Sequence, residues 1–248
     1  MINVSKDGVR PPIIQYWHSA EVPTEISELV STFRDQNPTM RHLLFNETEA
    51  MALIAEHYTD REVAAFRACA VPAMQADYFR YCAILALGGI YADADFRCRQ
   101  PLHSLVEQFN GECLFTGSRG QIMNGFFLLQ KPHHPLLRLT LDIATHNIEQ
   151  RFSERIWLVT GPGIFNGLAI LYKRGFSDTA KGDRCMGVRW SALEAAGGYV
   201  RIAEAFNALH TAPLRQVADW ISGPEFPLKH RQDHTHWFER QKQKTIFR

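Results

Sequence analysis

The sequence predicts an α/β fold with a mostly parallel central sheet flanked by helices. Short apolar runs at residues 13–17 and 40–45 alternate with longer stretches in which apolar residues recur at helical spacing. This order of strand, helix, strand and helix is typical of parallel strands whose faces are covered by helices. The 248 residues are 46% hydrophobic, which is enough for one sizeable core, and we expect one domain over residues 1–248.

The amino-terminal half is predicted to contain two strands and four helices. Residues 13–17 form the first buried strand, and residues 40–45 form the second. Thr24 is the predicted N-cap of the first helix, which ends near Asn37. Capping residues and a proline then divide the next stretch into helices over residues 46–57, 59–70 and 72–87.

The carboxyl-terminal half alternates again between predicted helices and strands. We expect helices over residues 104–109, 135–150 and 164–173, and strands over residues 112–116 and 124–129, with a polar loop between those strands. Residues 157–163 are predicted to be a strand that runs into a glycine-flanked turn, whose N–H groups could bind an anion or a hydroxyl. The basic residues 240–248 are typical of a frayed helix or a weak contact with an anionic surface.

The stretch from residue 76 to residue 96 organises the predicted site. It begins as an amphipathic, partly buried helix that ends at a left-handed cap formed by Gly88 and Gly89. A very short strand follows and leads to Asp93 and Asp95, which point to the same side if the chain is extended. Two such carboxylates repel each other unless a cation lies between them, and oxygen ligands favour Mg²⁺ or Mn²⁺. This chemistry suits a diphosphate.

Asp77 and Arg80 lie on the helix that precedes these carboxylates. Their spacing of three residues places them on one helix face. Arg80 could pair with a carboxylate or a phosphate, and Asp77 could accept hydrogen bonds from hydroxyl groups. Each motif alone also fits an ordinary surface turn or surface ion pair. Their combination in this order indicates a binding site.

The pattern D-x-x-R-Y followed by L-x-x-G-G-I-Y-x-D-x-D, residues 77–95, resembles the sugar-binding DxD region of family 32 glycosyltransferases. That family includes capsular-polysaccharide and Och1p-type mannosyltransferases and is related to clostridial glucosylating toxins. The resemblance implies a GT-A fold with a helical insertion before the DxD helix. It also implies a metal-dependent, retaining transfer of a sugar from a UDP- or GDP-sugar. Asp93 and Asp95 would then be catalytic and hold Mn²⁺ or Mg²⁺, and Asp77 and Arg80 would bind the donor sugar.

The same resemblance assigns roles to residues outside the central stretch. Trp17 would stack on the nucleotide base, although core packing explains a tryptophan there equally well, and Gln15 departs from the histidine that is common in the family. Asn124 would point into the donor sugar site, although an asparagine before a strand is often only a turn former. The triplet of residues 160–162 would lie near the acceptor.

The carboxyl-terminal segment, about residues 225–248, is expected to fold back over the site. His234 or His236 would bind the metal or the diphosphate, and Trp237 would cover the donor. Without the resemblance, an H-x-H pair would indicate a surface loop or a zinc site, but no further cysteine or histidine cluster lies nearby.

Composition excludes several classes of function. With 27 basic and 26 acidic side chains the formal charge is +1, so we expect no nucleic-acid partner. The five cysteines are widely spaced and form no C-x-x-C pair, as expected of reduced thiols in a cytosolic protein. No segment has the apolar length of a signal peptide or a membrane span. We therefore expect a soluble, cytoplasmic protein with at most a peripheral membrane contact.

The leading hypothesis is a hexosyltransferase of surface or capsular polysaccharide synthesis, acting on a glycan, a lipid-linked oligosaccharide or a protein acceptor. A toxin-like protein glycosyltransferase also fits the DxD region, and so does a degenerate module that binds a sugar nucleotide or a glycan without turnover. A phosphohydrolase is disfavoured because Arg97 stands where such enzymes need Thr or Val after the second aspartate.

Overall fold

The structure is a computed structural model that describes residues 10–153, 155–174, 184–207, 209–220 and 245–248. The strands in these ranges are β1 (Ile13–Tyr16), β2 (His42–Phe45), β3 (Gly89–Ala92), β4 (Phe96–Cys98), β5 (Glu112–Thr116), β6 (Ile122–Leu129), β7 (Arg184–Cys185), β8 (Val188–Arg189), β9 (His210–Pro213) and β10 (Ala218–Trp220). The α-helices are α1 (Thr24–Gln36), α2 (Glu47–His57), α3 (Asp60–Ala68), α4 (Pro72–Leu87), α5 (His103–Gln108), α6 (Pro135–Glu149), α7 (Ile156–Val159), α8 (Pro162–Arg174), α9 (Trp190–Ala195) and α10 (Val200–Phe206).

A six-stranded sheet in the order β2-β1-β3-β6-β5-β9 forms the centre of the fold. β6 runs antiparallel to both of its neighbours, and the other neighbouring strands pair in parallel. The predicted α/β fold with a mostly parallel sheet is confirmed. The predicted helical insertion is also present, because α2 and α3 lie between β2 and α4 in the chain.

The direction of β6 determines which residues meet at the edge of the sheet. Ala92, the last residue of β3, pairs with Phe126 in the antiparallel register. The residues that precede Phe126 in β6 therefore lie beside the residues that follow Ala92. Asp93 N donates a hydrogen bond of 2.8 Å to Gly125 O, so the DxD segment and the start of β6 share the carboxyl edge of β1 and β3.

Alternate residues of the strands supply two separate hydrophobic cores, one on each face of the sheet. Ile14, Tyr91 and Phe127 pack with α2, α3, α4, α6 and α8. Their sequence neighbours Ile13 and Ile90 pack on the opposite face with residues of α1, β4 and α5. This alternation is the period of two that a strand imposes on its side chains.

Helix α4 is buried more completely than the sequence predicts. Residues on all its faces are buried, including Asp77 and Arg80, so the expected partly exposed, amphipathic helix is wrong. Gly88 ends the helix with a φ of +65° and a ψ of 175°. The positive φ requires glycine as predicted, but the ψ is not that of a left-handed helical cap. A Cβ atom on Gly88 would lie 2.1 Å from Gln130 O.

Other boundaries differ from the predicted ones for local reasons. Thr24 is the first residue of α1, and Pro23 occupies the N-cap position without a side-chain hydrogen bond. The helix caps at Asn46 and Thr59 are confirmed, since each forms a reciprocal capping box with a glutamate three residues later. Asn124 lies inside β6 instead of before it.

The predicted strand over residues 157–163 is wrong. Thr160 N and Gly161 N both donate to Ile156 O, at 3.0 and 2.9 Å, so the segment forms α7 and then enters α8. A run of four apolar residues does not distinguish a strand from a buried helical turn, because it is too short to show a period.

The basic carboxyl end also differs from its prediction in the residues that are described. Ile246 and Phe247 are buried, and Phe247 pairs with Cys69 in an antiparallel bridge. Ala70 N donates to Ile246 O at 2.9 Å, and Arg248 N donates to Ala68 O at 2.8 Å. Residues 245–248 therefore extend along the end of α3 instead of forming a frayed helix.

Candidate functional site

The two DxD carboxylates are displayed on a tight turn. Phe96 N donates to Asp93 O at 3.1 Å, so Asp93 and Asp95 are not related by an extended chain, and that part of the prediction is wrong. Ala94 between them packs against Ile26, Leu29 and Val30 of α1. Burial raises the pKa of Asp93, Arg80 opposes that rise, and the Asp95 carboxylate adds to it. The two carboxylates are therefore close enough to repel each other.

Arg80 links the helix to the DxD turn. Its Nη2 donates to Asp93 Oδ1 at 2.7 Å, and its Nη1 lies 3.1 Å from Asp77 Oδ1. The guanidinium carbon also lies 4.8 Å from the centre of the Tyr91 ring, and the Tyr91 hydroxyl donates to Asp93 Oδ1 at 3.1 Å. Only 4% of the Arg80 side chain is exposed, against 26% of the Asp93 side chain. Two carboxylates and one aromatic ring thus fix the position of the Arg80 guanidinium.

Asp77 receives a hydrogen bond from each of two distant segments. Asn124 Nδ2 donates to Asp77 Oδ1 at 2.9 Å, and Thr160 Oγ1 donates to Asp77 Oδ2 at 3.2 Å. Burial raises the pKa of Asp77, while Arg80, Asn124 and Thr160 each lower it. Tyr81 completes the arrangement, since its hydroxyl accepts from Asn124 Nδ2 at 2.9 Å and donates to Thr160 O at 2.6 Å.

Gln15 supports the turn from the neighbouring strand β1. Its side chain is fully buried, and its Nε2 donates to Asp93 O at 3.2 Å. Its Oε1 lies 2.7 Å from His42 Nε2, so the histidine nitrogen is the donor in this pair. Burial, assisted by Arg34, lowers the pKa of His42 to about 4, which keeps the imidazole neutral near pH 7. The departure at Gln15 therefore has a structural role, which is to hold the main chain of Asp93.

Gln15→Leu is expected to loosen the DxD turn. The variant leaves the Asp93 carbonyl and His42 without their partner, at a cost of about 1–3 kcal/mol. We expect metal-dependent donor binding to weaken, as measured by titration calorimetry. Gln75→Leu is the matched control because Gln75 is also buried and hydrogen-bonded, to Tyr16 and Cys69. Equal losses of donor affinity in the two variants would contradict a specific role for Gln15.

Glycine at residue 125 lets the second oxygen of Asp93 lie close to the main chain of β6. A Cβ atom at residue 125 would lie 2.3 Å from Asp93 Oδ2, closer than a real Cβ contact. Oδ1 is occupied by Arg80 and Tyr91, and Oδ2 lies close to where a Cβ atom of residue 125 would be, so glycine at this position allows the observed placement of the carboxylate.

Gly125→Ala is expected to displace the Asp93 carboxylate and to weaken metal-dependent donor binding about tenfold. That magnitude corresponds to about 1.4 kcal/mol. Isothermal titration with Mn²⁺ and a sugar nucleotide measures the effect. Gly120→Ala is the control, because a Cβ there meets nothing within 4 Å. Unchanged affinity in Gly125→Ala would show that Asp93 Oδ2 does not face the ligand.

The remaining predicted residues lie at the edge of this network or outside the described residues. Trp17 follows β1, is partly buried, and packs against the cluster that contains Ala94 and α1. Its ring centre lies 5.1 Å from that of His18. Both base stacking and core packing thus remain compatible with Trp17. His234, His236 and Trp237 lie outside the described residues.

Several residues of the network were not identified from the sequence. Tyr91 could have been found, since it precedes Asp93 by two residues in a strand and shares its side. Thr160 lies in a triplet that was assigned to the acceptor side, and nothing local indicates its contact with Asp77. His42 and Gly125 become recognisable only when the register of β1, β2 and β6 is known.

The described residues suit a divalent cation that takes most of its ligands from water and from a bound phosphate. Within residues 10–153 and the shorter described ranges, no group of three or more His, Cys, Asp or Glu side chains could hold a metal. Asp93 and Asp95 offer two carboxylates, and Mg²⁺ is commonly bound by one or two carboxylates together with phosphate oxygens and water. The site therefore suits an ion that arrives with a diphosphate.

Comparison with known proteins supports this fold. The solved structure of PaToxG Glycosyltransferase superposes with a TM-score of 0.50 at 15% identity, over 96% of this chain and 86% of that one. The chain thus shares its fold with that glycosyltransferase, and the predicted GT-A type fold is confirmed. Residues 23–111 match the family described as "Glycosyltransferase sugar-binding region containing DXD motif". The matched residues include residues 77–95, so the chain is similar to this family over the stretch in which the sequence predicted the resemblance.

Two mannosyltransferases of Schizosaccharomyces pombe are similar in sequence. The chain is 29% identical over 85 residues to the initiation-specific alpha-1,6-mannosyltransferase, covering 32% of this chain and 22% of that protein. It is 28% identical over 177 residues to inositol phosphoceramide mannosyltransferase 2, covering 69% of this chain and 50% of that protein. The chain thus matches half or less of the length of each relative.

Proposed function

We propose that this protein is a metal-dependent, retaining glycosyltransferase that moves a hexosyl group from a nucleoside-diphosphate sugar to a hydroxyl acceptor. The observation that carries the proposal is the position of Arg80, which is buried between Asp77 and Asp93 at the carboxyl edge of the sheet. In open α/β sheets this edge is where ligands bind. The similarity to two mannosyltransferases makes a mannosyl group the first candidate.

Asp93 and Asp95 would hold Mn²⁺ or Mg²⁺. When bound, the ion would neutralise the charge that develops on the leaving diphosphate. Burial is the main cause of the raised pKa of Asp93, and the nearby Asp95 carboxylate adds to it, so a cation between these two carboxylates would favour their ionised forms. His234 or His236 is proposed to contact the same metal or diphosphate, and Trp237 to contact the donor.

Asp77 would orient the donor sugar. An ionised carboxylate has about four lone-pair sites, and Arg80, Asn124 and Thr160 occupy three of them. The remaining site can accept one sugar hydroxyl in a direction that the three fixed partners determine. Arg80 would stabilise negative charge on the donor, and Trp17 would stack on the nucleotide base. Asn124 would act through Asp77.

For the acceptor and the cellular role we propose only broad classes. A glycan or a lipid-borne hydroxyl is the leading acceptor class, since one similar protein is named as an inositol phosphoceramide mannosyltransferase, and surface polysaccharide synthesis is a compatible role. A protein acceptor is the alternative class. None of the described helices is long and apolar enough to cross a membrane. We propose a cytoplasmic location with at most peripheral membrane contact.

Thermal-shift binding of GDP-mannose and of UDP-sugars, with Mn²⁺ and again with EDTA, tests the proposal. We expect stabilisation by one donor class, which EDTA abolishes, and release of the nucleoside diphosphate when an acceptor is present. Binding of the donor without any release, across glycan and lipid acceptors, would instead support a binding module. A folded protein that no donor stabilises would refute the assignment of the site.

A further inference from the structure

A cationic and apolar surface lies beside the candidate site and takes no part in it. We call it the arginine–tryptophan surface, and it is formed by five side chains from the end of α6 to the start of α9: Phe152, Trp157, Arg184, Met186 and Arg189. Residues 184 and 189 belong to the β7–β8 hairpin, and Met186 occupies its turn with a φ of +50°.

Two arginines stand directly opposite each other in this hairpin. Arg184 and Arg189 are Cα partners in the β7–β8 register, a position where like charges destabilise a strand pair. Both guanidinium carbons lie 5.3 Å from the centre of the Phe152 ring, which holds the two cations close together. Within the described residues neither arginine forms an ion pair. Asp183, which precedes Arg184, and Glu154, which lies two residues after Phe152, are outside those residues.

Exposed apolar side chains adjoin the two arginines. Trp157 and Met186 are each 39% exposed, and they are two of only five large apolar side chains exposed in the described part of the chain. Gly163 lies between the Trp157 ring and the hairpin turn that contains Met186. A Cβ there would lie 2.7 Å from the Trp157 ring, and its carbonyl accepts a hydrogen bond of 3.2 Å from Gly187, the second residue of the hairpin turn.

The surface is rigidly joined to the candidate site. Asn147 Nδ2 donates to Val159 O at 3.2 Å and to Gly187 O at 2.9 Å, so one buried side chain ties α7 to the hairpin. Thr160, the next residue after α7, reaches Asp77. A ligand on the arginine–tryptophan surface would therefore lie close to the segment that contacts the donor-sugar residues.

We propose that the arginine–tryptophan surface docks on an anionic phospholipid bilayer. Guanidinium groups match phosphate in geometry as well as in charge, and tryptophan favours the boundary between water and hydrocarbon. Two exposed or half-exposed arginines that stack on one phenylalanine ring beside an exposed tryptophan thus fit a surface that offers phosphates above an apolar layer. A soluble phosphate ion has no apolar part that could contact Trp157 and Met186. The proposal does not require the protein to transfer sugar.

Co-sedimentation with phospholipid vesicles tests the proposal on the whole chain. We expect binding to phosphatidylcholine vesicles that contain phosphatidylglycerol, and none to phosphatidylcholine alone. Arg184→Gln/Arg189→Gln should weaken the binding about 25-fold, at about fivefold for each arginine near the membrane. Arg67→Gln/Arg119→Gln removes the same charge from exposed positions elsewhere and should bind within about fivefold of the wild type.

Further variants keep the proposal testable if the glutamine pair does not fold. Arg184→Lys/Arg189→Lys keeps the charge and should retain most of the binding. Trp157→Ala should weaken binding to the same vesicles severalfold, whereas Tyr172→Ala, which changes an aromatic of similar exposure at the far end of α8, should not. Equal binding of the two glutamine pairs, no preference for anionic vesicles, or full displacement by an equal concentration of inorganic phosphate would overturn the proposal.

Discussion

Asp95→Asn is expected to abolish metal-dependent donor turnover while leaving the fold intact. Asp95 is partly exposed on the turn after β3, so its carboxylate contributes little to the core. The amide keeps the shape of the side chain but removes the charge that would hold the cation. We expect kcat to fall by at least about 100-fold, the scale of losing one preorganised electrostatic group. Release of nucleoside diphosphate measures the activity, and thermal melting checks the fold.

Asp35→Asn provides the matched control for Asp95→Asn. Asp35 is an exposed residue near the end of α1, and the change removes one carboxylate without approaching the DxD turn. Its activity should equal that of the wild type. If Asp95→Asn also retained wild-type activity and its dependence on Mn²⁺, the assignment of Asp95 to the metal would be wrong. A fall in melting temperature by more than about 4 °C would indicate a structural role instead.

The central stretch was predictable because its constraints are local. Glycine at residue 88, a short buried strand and two aspartates are all read from adjacent positions, and the structure places them as a helix end, β3 and a turn. The caps at Asn46 and Thr59 were predictable for the same reason. The turn itself was not, since Ala94 is drawn into the core beneath α1, and this packing bends a segment that would otherwise be extended.

The contacts between segments could not be predicted from local patterns. Thr160 meets Asp77 across 83 positions of sequence, and His42 reaches Asp93 only through Gln15. Such pairs depend on the order of strands in the sheet and on the antiparallel direction of β6, which no short motif specifies. The prediction of a strand over residues 157–163 was wrong for a similar reason. Packing against α6 and α8 decided the conformation of this short apolar run.

Arg80→Met is expected to cause the largest loss of stability among substitutions in the site. Removing one partner of a buried ion pair leaves an uncompensated charge and typically costs about 3–5 kcal/mol. Here two carboxylates, Asp77 and Asp93, would lose the same partner. Because 26% of the Asp93 side chain is exposed, water relieves part of the cost, and we expect the lower end of that range. Donor turnover should be lost as well.

The loss in Arg80→Met should depend on pH in a defined direction. Burial already raises the pKa of Asp77 and of Asp93, and Arg80 is the largest influence that lowers each of them. Without it, both pKa values rise further above their unfolded values. A group with a raised folded-state pKa stabilises the fold when protonated and loses that contribution as the pH rises through this pKa. The variant should therefore be least stable, relative to the wild type, near pH 8 and should recover toward pH 5.

Arg61→Met separates this effect from the general cost of removing an arginine. Arg61 pairs with Glu149 on the surface, with side chains 45% and 38% exposed, and such pairs contribute about 0–1 kcal/mol. Arg61 lowers the pKa of Glu149, and without Arg61 that pKa returns toward the ordinary glutamate value of about 4.3. Glu149 therefore stays mostly ionised between pH 5 and pH 8 in both proteins, and the loss in Arg61→Met should vary little with pH. Chemical denaturation of both variants across this range measures the two slopes. A pH-independent loss in Arg80→Met would show that Asp77 and Asp93 do not depend on Arg80 for their charge.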